Sequence, residues 1–408
     1  MQALPRRAAA PRSLWAAIVA AAVLTACGGD SNSPAMTASM PPPPPPPVVA
    51  LQLYTQTNET ANTLVHFTRG ADGKLSRKES SSTGGVGTNA VRANGTPGPN
   101  SLGSQFSVII SSDNKQLFVA NGGDSSISAM SIDPATGALS LRKNSKTAGQ
   151  TPNSLAYAKG FLYASFLKGG KLGAWRVETD GALSQLGLYD VAAGTGLAAA
   201  SIAPTQVVVS PDGKWLVVSA GTGTNAVLSY PINADGTLGA PLVNNTQFAT
   251  PFAGLFVPGL STPVYLSTGI TGVSLTSYTL SQSGMLTQLN QAAATGVGAP
   301  CWLAIAPNGK FAYVGNGSGS ISSYAIAANG AVTLLKSIAA EEPSVLAGVN
   351  SVAGDSWVSP DSKFLYSTYL GADKVVVYAI AADGSLSKVA ETPVGTTTKL
   401  SLQGMAGI

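Results

Sequence analysis

The chain contains few residues able to carry nucleophilic, acid–base or metal chemistry, and they are scattered. His66 is the only histidine in 408 residues. A Ser-His-Asp triad would have to be built around it, and no Gly-x-Ser-x-Gly elbow is present. There is no HExxH, no Cys/His cluster with zinc spacing and no EF-type loop; no metal or cofactor is expected. Glycine-rich pieces such as Gly221-Thr222-Gly223 are followed by no helix, so they do not cradle phosphate. What remains is a set of single ionisable side chains in irregular stretches: Glu59, Glu79, Arg92, Asp124, Lys168, Asp190, Glu341, Glu342 and Asp373. Asp190, Glu341 and Glu342 are the carboxylates that could act as acid or base. Cys301, Trp302, Asn316 and Arg92 are the candidate ligand contacts: a thiol, a flat indole face with one N–H, an amide and a cation.

The elements that must position these residues are short strands. Pro204 to Val243 reads as four runs rich in Val, Leu, Tyr and Thr, separated by Pro-Asp-Gly-Lys, Gly-Thr-Gly-Thr and Asn-Ala-Asp-Gly, a four-stranded antiparallel meander. Its third-to-fourth turn recurs at Asp72-Gly73, Thr136-Gly137, Asp180-Gly181, Asp235-Gly236, Ser283-Gly284, Asn329-Gly330 and Asp383-Gly384. Gly73 to Gly384 spans 311 residues in six steps, a period of about 52 that fits four-stranded propeller blades and exceeds helical solenoid repeats. The first-to-second turn recurs at Ser112-Asp113, Pro211-Asp212, Pro307-Asn308 and Pro360-Asp361. The expectation is an all-β, seven-bladed propeller. The first blade lacks an innermost strand, and the run Leu402 to Ile408 is left over to supply it, closing the ring with one strand from each terminus. Strand parity then puts the economical turns on one face. The irregular loops fall on the other, including the connections 79–104, 190–203 and 340–351.

The proline-led strand, the PDGK turn, the NG or GTG loop and the (D/T)G-x-L turn together resemble the seven-bladed β-propeller lactonase family, the 6-phosphogluconolactonase type, over 48–408. The resemblance implies a metal-free lactone-opening site. Its arginine and histidine come from a Gly-x-Gly-Pro-Arg-His segment, and its glutamate from an Asn-Glu pair one strand later. The matching segment here is Gly296-Val297-Gly298-Ala299-Pro300-Cys301-Trp302. Ala299 is inserted, Cys301 stands for the arginine, Trp302 for the histidine, and Asn316-Gly317 for Asn-Glu. His66 falls in the third strand of the first blade, away from the ring's mouth, and reads as structural. The expectation is therefore a non-catalytic propeller binding a small molecule or protein on its irregular face, without hydrolysis of sugar lactones. A lactonase with a relocated site is the alternative.

Residues 1–26 carry Arg6, Arg7 and Arg12, then the apolar run Leu14 to Leu24, the layout of a secretory signal too short to span a bilayer. Leu24-Thr25-Ala26-Cys27 resembles the bacterial lipobox, which implies lipidation at Cys27 and stable anchoring. Gly28 in the next position points to the outer membrane rather than the inner. Residues 27–47 end in seven prolines, Pro41 to Pro47, a polyproline II spacer of roughly 22 Å. Removing the three signal arginines from the 23 Lys+Arg leaves 20 against 19 Asp+Glu, so no nucleic-acid partner is expected. A monomer anchored in the cell envelope is expected.

Overall fold

A computed structural model describes residues 51–221, 223–244 and 248–408. The expected signal, lipidated Cys27 and proline tether, together with Val48 to Ala50, lie outside the described residues. Those described fold into seven four-stranded antiparallel sheets, each pairing its strands in sequence order outward from the axis. Blade 1 alone is composite, ordered Gln403–Gly407, Leu51–Gln56, Thr63–Arg69, Leu75–Ser82. The C-terminal strand pairs Gly407 with Leu53 and Met405 with Thr55, and shifts register beyond Thr55. Its partner strand is thereby covered on both edges, and the innermost strand missing from the first blade is supplied by the leftover C-terminal run. Blades 2 to 7 have innermost strands Val108–Ile110, Gln150–Ala158, Gln206–Val209, Pro251–Phe256, Pro300–Ile305 and Ala353–Val358. These pack in cyclic order around the axis.

Burial explains the strand composition. Second and third strands such as Gln116–Asn121 and Ser126–Ile132 are buried on both faces because each sheet is covered by its neighbours. They therefore read as nearly continuous apolar or small-residue runs. Outer strands such as Leu75–Ser82 and Leu139–Lys146 are mostly exposed and polar.

The recurrent Gly turn is an inter-blade joint. Tyr54, Tyr163, Tyr313 and Tyr366, each on the second strand of its blade, donate their hydroxyls to the carbonyls of Gly137, Gly236, Gly384 and Gly73 in the next blade's turn, at 2.6, 3.2, 3.1 and 2.8 Å. The last of these joins blade 7 to blade 1. Gly73 and Gly236 have φ of 83° and 86°, and a Cβ there would lie 2.3 Å from the rings of Phe364 and Phe161. The turn needs glycine for its backbone and for the close approach of the neighbouring blade. The turn aspartates close the loop: Asp235 Oδ1 accepts the Thr237 N–H at 3.0 Å and Asp383 Oδ1 the Ser385 N–H at 3.0 Å. Burial pushes the four tyrosine hydroxyls well above the ordinary phenol range.

Blade 2 departs from the repeat, since its innermost strand has only three residues. The chain before it, Leu102 to Ser107, is spent on the ring's centre. Ser104 Oγ donates to Asn153 O of blade 3 (2.6 Å), and the Gln105 N–H to Thr205 O of blade 4 (3.2 Å). The Gln105 side chain brackets Leu303 of blade 6, donating Nε2–H to its carbonyl (2.8 Å) and accepting its N–H (2.7 Å). The Phe106 N–H goes to Asp355 Oδ1 of blade 7 (2.9 Å), and Phe106 O accepts the Leu155 N–H (2.9 Å). Ser107 Oγ accepts the Gln56 Nε2–H of blade 1 (2.7 Å), so one segment crosses the channel and is bonded to five other blades. Ser104, Gln105 and Ser107 are buried with their side-chain polar groups paired.

Candidate functional site

This plug divides the channel into two cavities with no lining residue in common. At the tight-turn face lies an apolar cavity of about 330 Å³ among Phe106, Ile109, Tyr157, Val208, Trp357 and Ala406. It offers no charged group to a polar substrate. At the irregular face lies a cavity of about 580 Å³, large enough for a hexose-sized ligand. Its walls are connections between blades, with Arg92, Pro97 to Asn100, Ala299, Gly348 to Asn350, Val352 and Leu400, joined by Gly317 from the second-to-third loop of blade 6. Cys301 and Trp302 form its floor.

Arg92 is held over this mouth by a small hairpin. Val91 bridges Pro97, and the Arg92 N–H donates to Thr96 O at 3.0 Å. Asn58 anchors the base of the connection, with Nδ2 donating to Thr88 Oγ1 (2.7 Å) and Ser101 Oγ (3.0 Å). Arg92 Nε donates to Pro99 O at 3.1 Å, and the guanidinium packs against Gly98, where a Cβ would come within 2.3 Å of Cζ. A guanidinium fixed by its Nε and packed against backbone keeps its terminal N–H groups for a ligand at little further entropic cost.

The structure brings three of the four sequence-proposed ligand contacts to one place, but not in the expected roles. Trp302 does not offer a free indole face. It is 2% exposed, packs edge-on against Phe252 (5.2 Å) and donates its N–H to Ser104 O at 3.1 Å. It braces the plug and only its margin reaches the cavity. Cys301 is buried, and desolvation pushes its thiol up to about 12, so it is no nucleophile at neutral pH. Asn316 lies beneath the surface as a strand-end bracket, its Nδ2 donating to Ser320 Oγ (3.1 Å) and Ser322 Oγ (3.0 Å). Asn121 does the same in blade 2 with Ser126 and Ser128.

The three carboxylates proposed as acid or base do not converge on the mouth. Asp190 ends the outer strand of blade 3, exposed, with Lys171 at 3.9 Å. Glu341 ends the outer strand of blade 6, exposed. Glu342 is buried between blades 6 and 7, where it binds Lys374 and Lys388, each at 2.7 Å. The same lysines hold Glu391 down to about 2. This is a rim ion-pair network that satisfies a buried charge. His66 is buried in blade 1 between Gln52 Oε1 (2.6 Å) and Glu79 Oε1 (3.0 Å), stacked on Tyr54. Residues the sequence reading missed are Ser104 and Gln105 of the plug and Asp355 beneath it. Burial raises the Asp355 carboxyl to about 7 against the opposing Phe106 hydrogen bond.

The arrangement can bind a polar ring and set a fixed positive charge against a developing oxyanion. None of the described residues lining the mouth cavity is a carboxylate or a histidine.

The chain matches the family model described as Lactonase, 7-bladed beta-propeller over residues 53–196 and 262–398. It is 26% identical over 278 residues to a 6-phosphogluconolactonase of Serratia proteamaculans, covering 67% of this chain and 80% of the relative. A 6-phosphogluconolactonase of Pectobacterium carotovorum is 26% identical over 266 residues, covering 62% of this chain and 73% of the relative. Among solved structures, the periplasmic gluconolactonase of Pseudomonas aeruginosa superposes with a TM-score of 0.65 at 19% identity, over 88% of this chain and 99% of that one. At that identity the likeness speaks for the fold.

Proposed function

The chain belongs to the seven-bladed β-propeller lactonase family, and from that membership we propose that it hydrolyses a sugar lactone in the cavity at its irregular face. Relatives named 6-phosphogluconolactonase favour this over the non-catalytic module that the altered 301, 302 and 317 positions suggested. The observation that carries the reading is a relocated charge. Cys301 stands where the family resemblance places an arginine, and the guanidinium of Arg92 lines the same cavity from a different connection.

In the reaction a water oxygen adds to the lactone carbonyl carbon and the ring C–O bond breaks. The ring oxygen takes a proton, and an aldonate carboxylate is left with one proton released. Arg92 acts on the step that builds charge, donating to the carbonyl oxygen as it becomes an oxyanion. The cavity walls hold the ring in place beside Arg92. With no carboxylate or imidazole among the described lining residues, the attacking water gives its proton to solvent base. The rate should therefore climb with pH rather than follow a bell.

The test is continuous titration of acid released from gluconolactone and 6-phosphogluconolactone by the full-length protein between pH 6 and pH 8. Turnover above the spontaneous rate, rising with pH, is expected for at least one of them. Spontaneous rates throughout for both would return the chain to the binding reading.

A further inference from the structure

Beside the mouth, between blades 2 and 3, lies a second polar cavity of about 350 Å³. Arg92 lines it together with Lys168, Ser125, Gln150 and Thr151, and no carboxylate does. Lys168 ends the second strand of blade 3, is exposed, and pairs with no carboxylate among the described residues. The Asp124 carboxylate of the blade 2 loop is already neutralised by Lys146 Nζ at 2.7 Å. The Gln150 amide and the Thr151 hydroxyl bond to no other described residue. The walls are tightly built, since a Cβ on Gly123 would fall 2.1 Å from Gly87 O and one on Gly122 2.6 Å from Leu102. Two cations and unengaged donors thus share one concave, rigid cleft in a protein of near-balanced charge.

We propose that this cleft is an oxyanion subsite in which Arg92 and Lys168 together hold a carboxylate or phosphate group of the ligand whose ring occupies the mouth. Arg92 borders both cavities. One guanidinium can therefore face the ring on one side and share the anion with Lys168 on the other, which its planar array of donors permits. The ring's placement rests on the lactonase reading; the anion preference does not.

The experiment is calorimetric titration of the full-length protein with gluconate, 6-phosphogluconate, inorganic phosphate and uncharged sorbitol at low ionic strength. Wild type should bind at least one anion and should bind sorbitol no better than background. Lys168→Met should weaken that anion about tenfold, the effect of one charge-assisted contact. Lys168→Arg should restore it, and added salt should erase the difference. Loss confined to the phosphates identifies a phosphate occupant, and loss for gluconate identifies the aldonate carboxylate. Anion binding equal in wild type and Lys168→Met, or no anion binding at all, overturns the subsite. Lys168 lines only the second cavity, so these results stand whatever the lactone assay returns.

Discussion

Deleting Leu402 to Ile408 removes the innermost strand of blade 1 and tests how the ring is closed. Leu402 and Met405 are 0% and 3% exposed, and losing each costs about 1.5–3 kcal/mol of apolar burial. The strand also accepts Thr55 Oγ1–H at Gly404 O (2.5 Å) and donates Ile408 N–H to Gln52 O (2.9 Å), besides its ladder. At about 1 kcal/mol net per hydrogen bond, the total reaches about 5–10 kcal/mol, comparable with the whole stability of a typical domain. The remaining edge, Leu51–Gln56, would be left open beside the channel and prone to pair with other chains. By differential scanning calorimetry the truncated protein should melt at least about 10 °C lower than wild type, or fail to stay soluble. Removing Ile408 alone, which forfeits one hydrogen bond and the packing of one partly buried side chain, should cost about 1–3 kcal/mol. A seven-residue truncation melting within about 2 °C of wild type would refute closure by this strand.

Tyr366→Phe deletes the hydroxyl that joins blade 7 to the Gly73 carbonyl of blade 1; a loss of about 1–2 kcal/mol by urea unfolding is expected, and an unchanged midpoint would deny the joint an energetic role. Asp355 has its carboxyl raised to about 7 in the folded protein, above its value of about 3.9 in an unfolded chain. The folded state therefore binds the extra proton, so this group's contribution is full below about pH 4 and is lost as pH rises through about 7. Asp355→Asn should flatten the melting-temperature profile between pH 5 and pH 8 and raise its alkaline end; an identical profile would contradict a buried, proton-binding Asp355. We also propose a lipid anchor at Cys27: Cys27→Ser should block signal removal and lipid labelling, and a variant processed and membrane-bound like wild type would exclude it.

The turn chemistry made the blades legible, because Asp-Gly and Pro-Asp-Gly motifs act locally and each copy says the same thing. Closure by the C-terminal strand followed from a first blade one strand short and one run, Leu402 to Ile408, left over at the other end of the sequence. The plug was not legible, because Gln105 and Trp302 find their partners 198 residues away, and Ser-Gln-Phe reads as ordinary loop. The one trace was a connection too long for its neighbours, ending in a blade with a shortened first strand. Asn316 was misread for a related reason. An amide near a loop suggests a ligand, but Asn316 ends a second strand opposite Ser320 and Ser322 of the third as Asn121 does opposite Ser126 and Ser128, a bracket repeated in two blades. Glu342 looked like a loop acid because its two lysine partners belong to the next blade. Arg92 could be picked out as a cation on the irregular face. That it enters the cavity floored by Cys301 and Trp302 depends on the fold of the 91–97 hairpin.

The central claim is that Arg92 supplies the charge for lactone opening, and the measurement that tests it is kcat/KM for gluconolactone and 6-phosphogluconolactone in wild type and Arg92→Gln. Arg92 is exposed and its side chain makes a single hydrogen bond, to Pro99 O, so the variant should fold normally. Wild type should show enzymatic turnover and Arg92→Gln a loss of about 100-fold, mostly in kcat, as expected when one oxyanion donor is removed. Equal turnover in the two proteins would contradict the claim and move the chemistry away from this cavity.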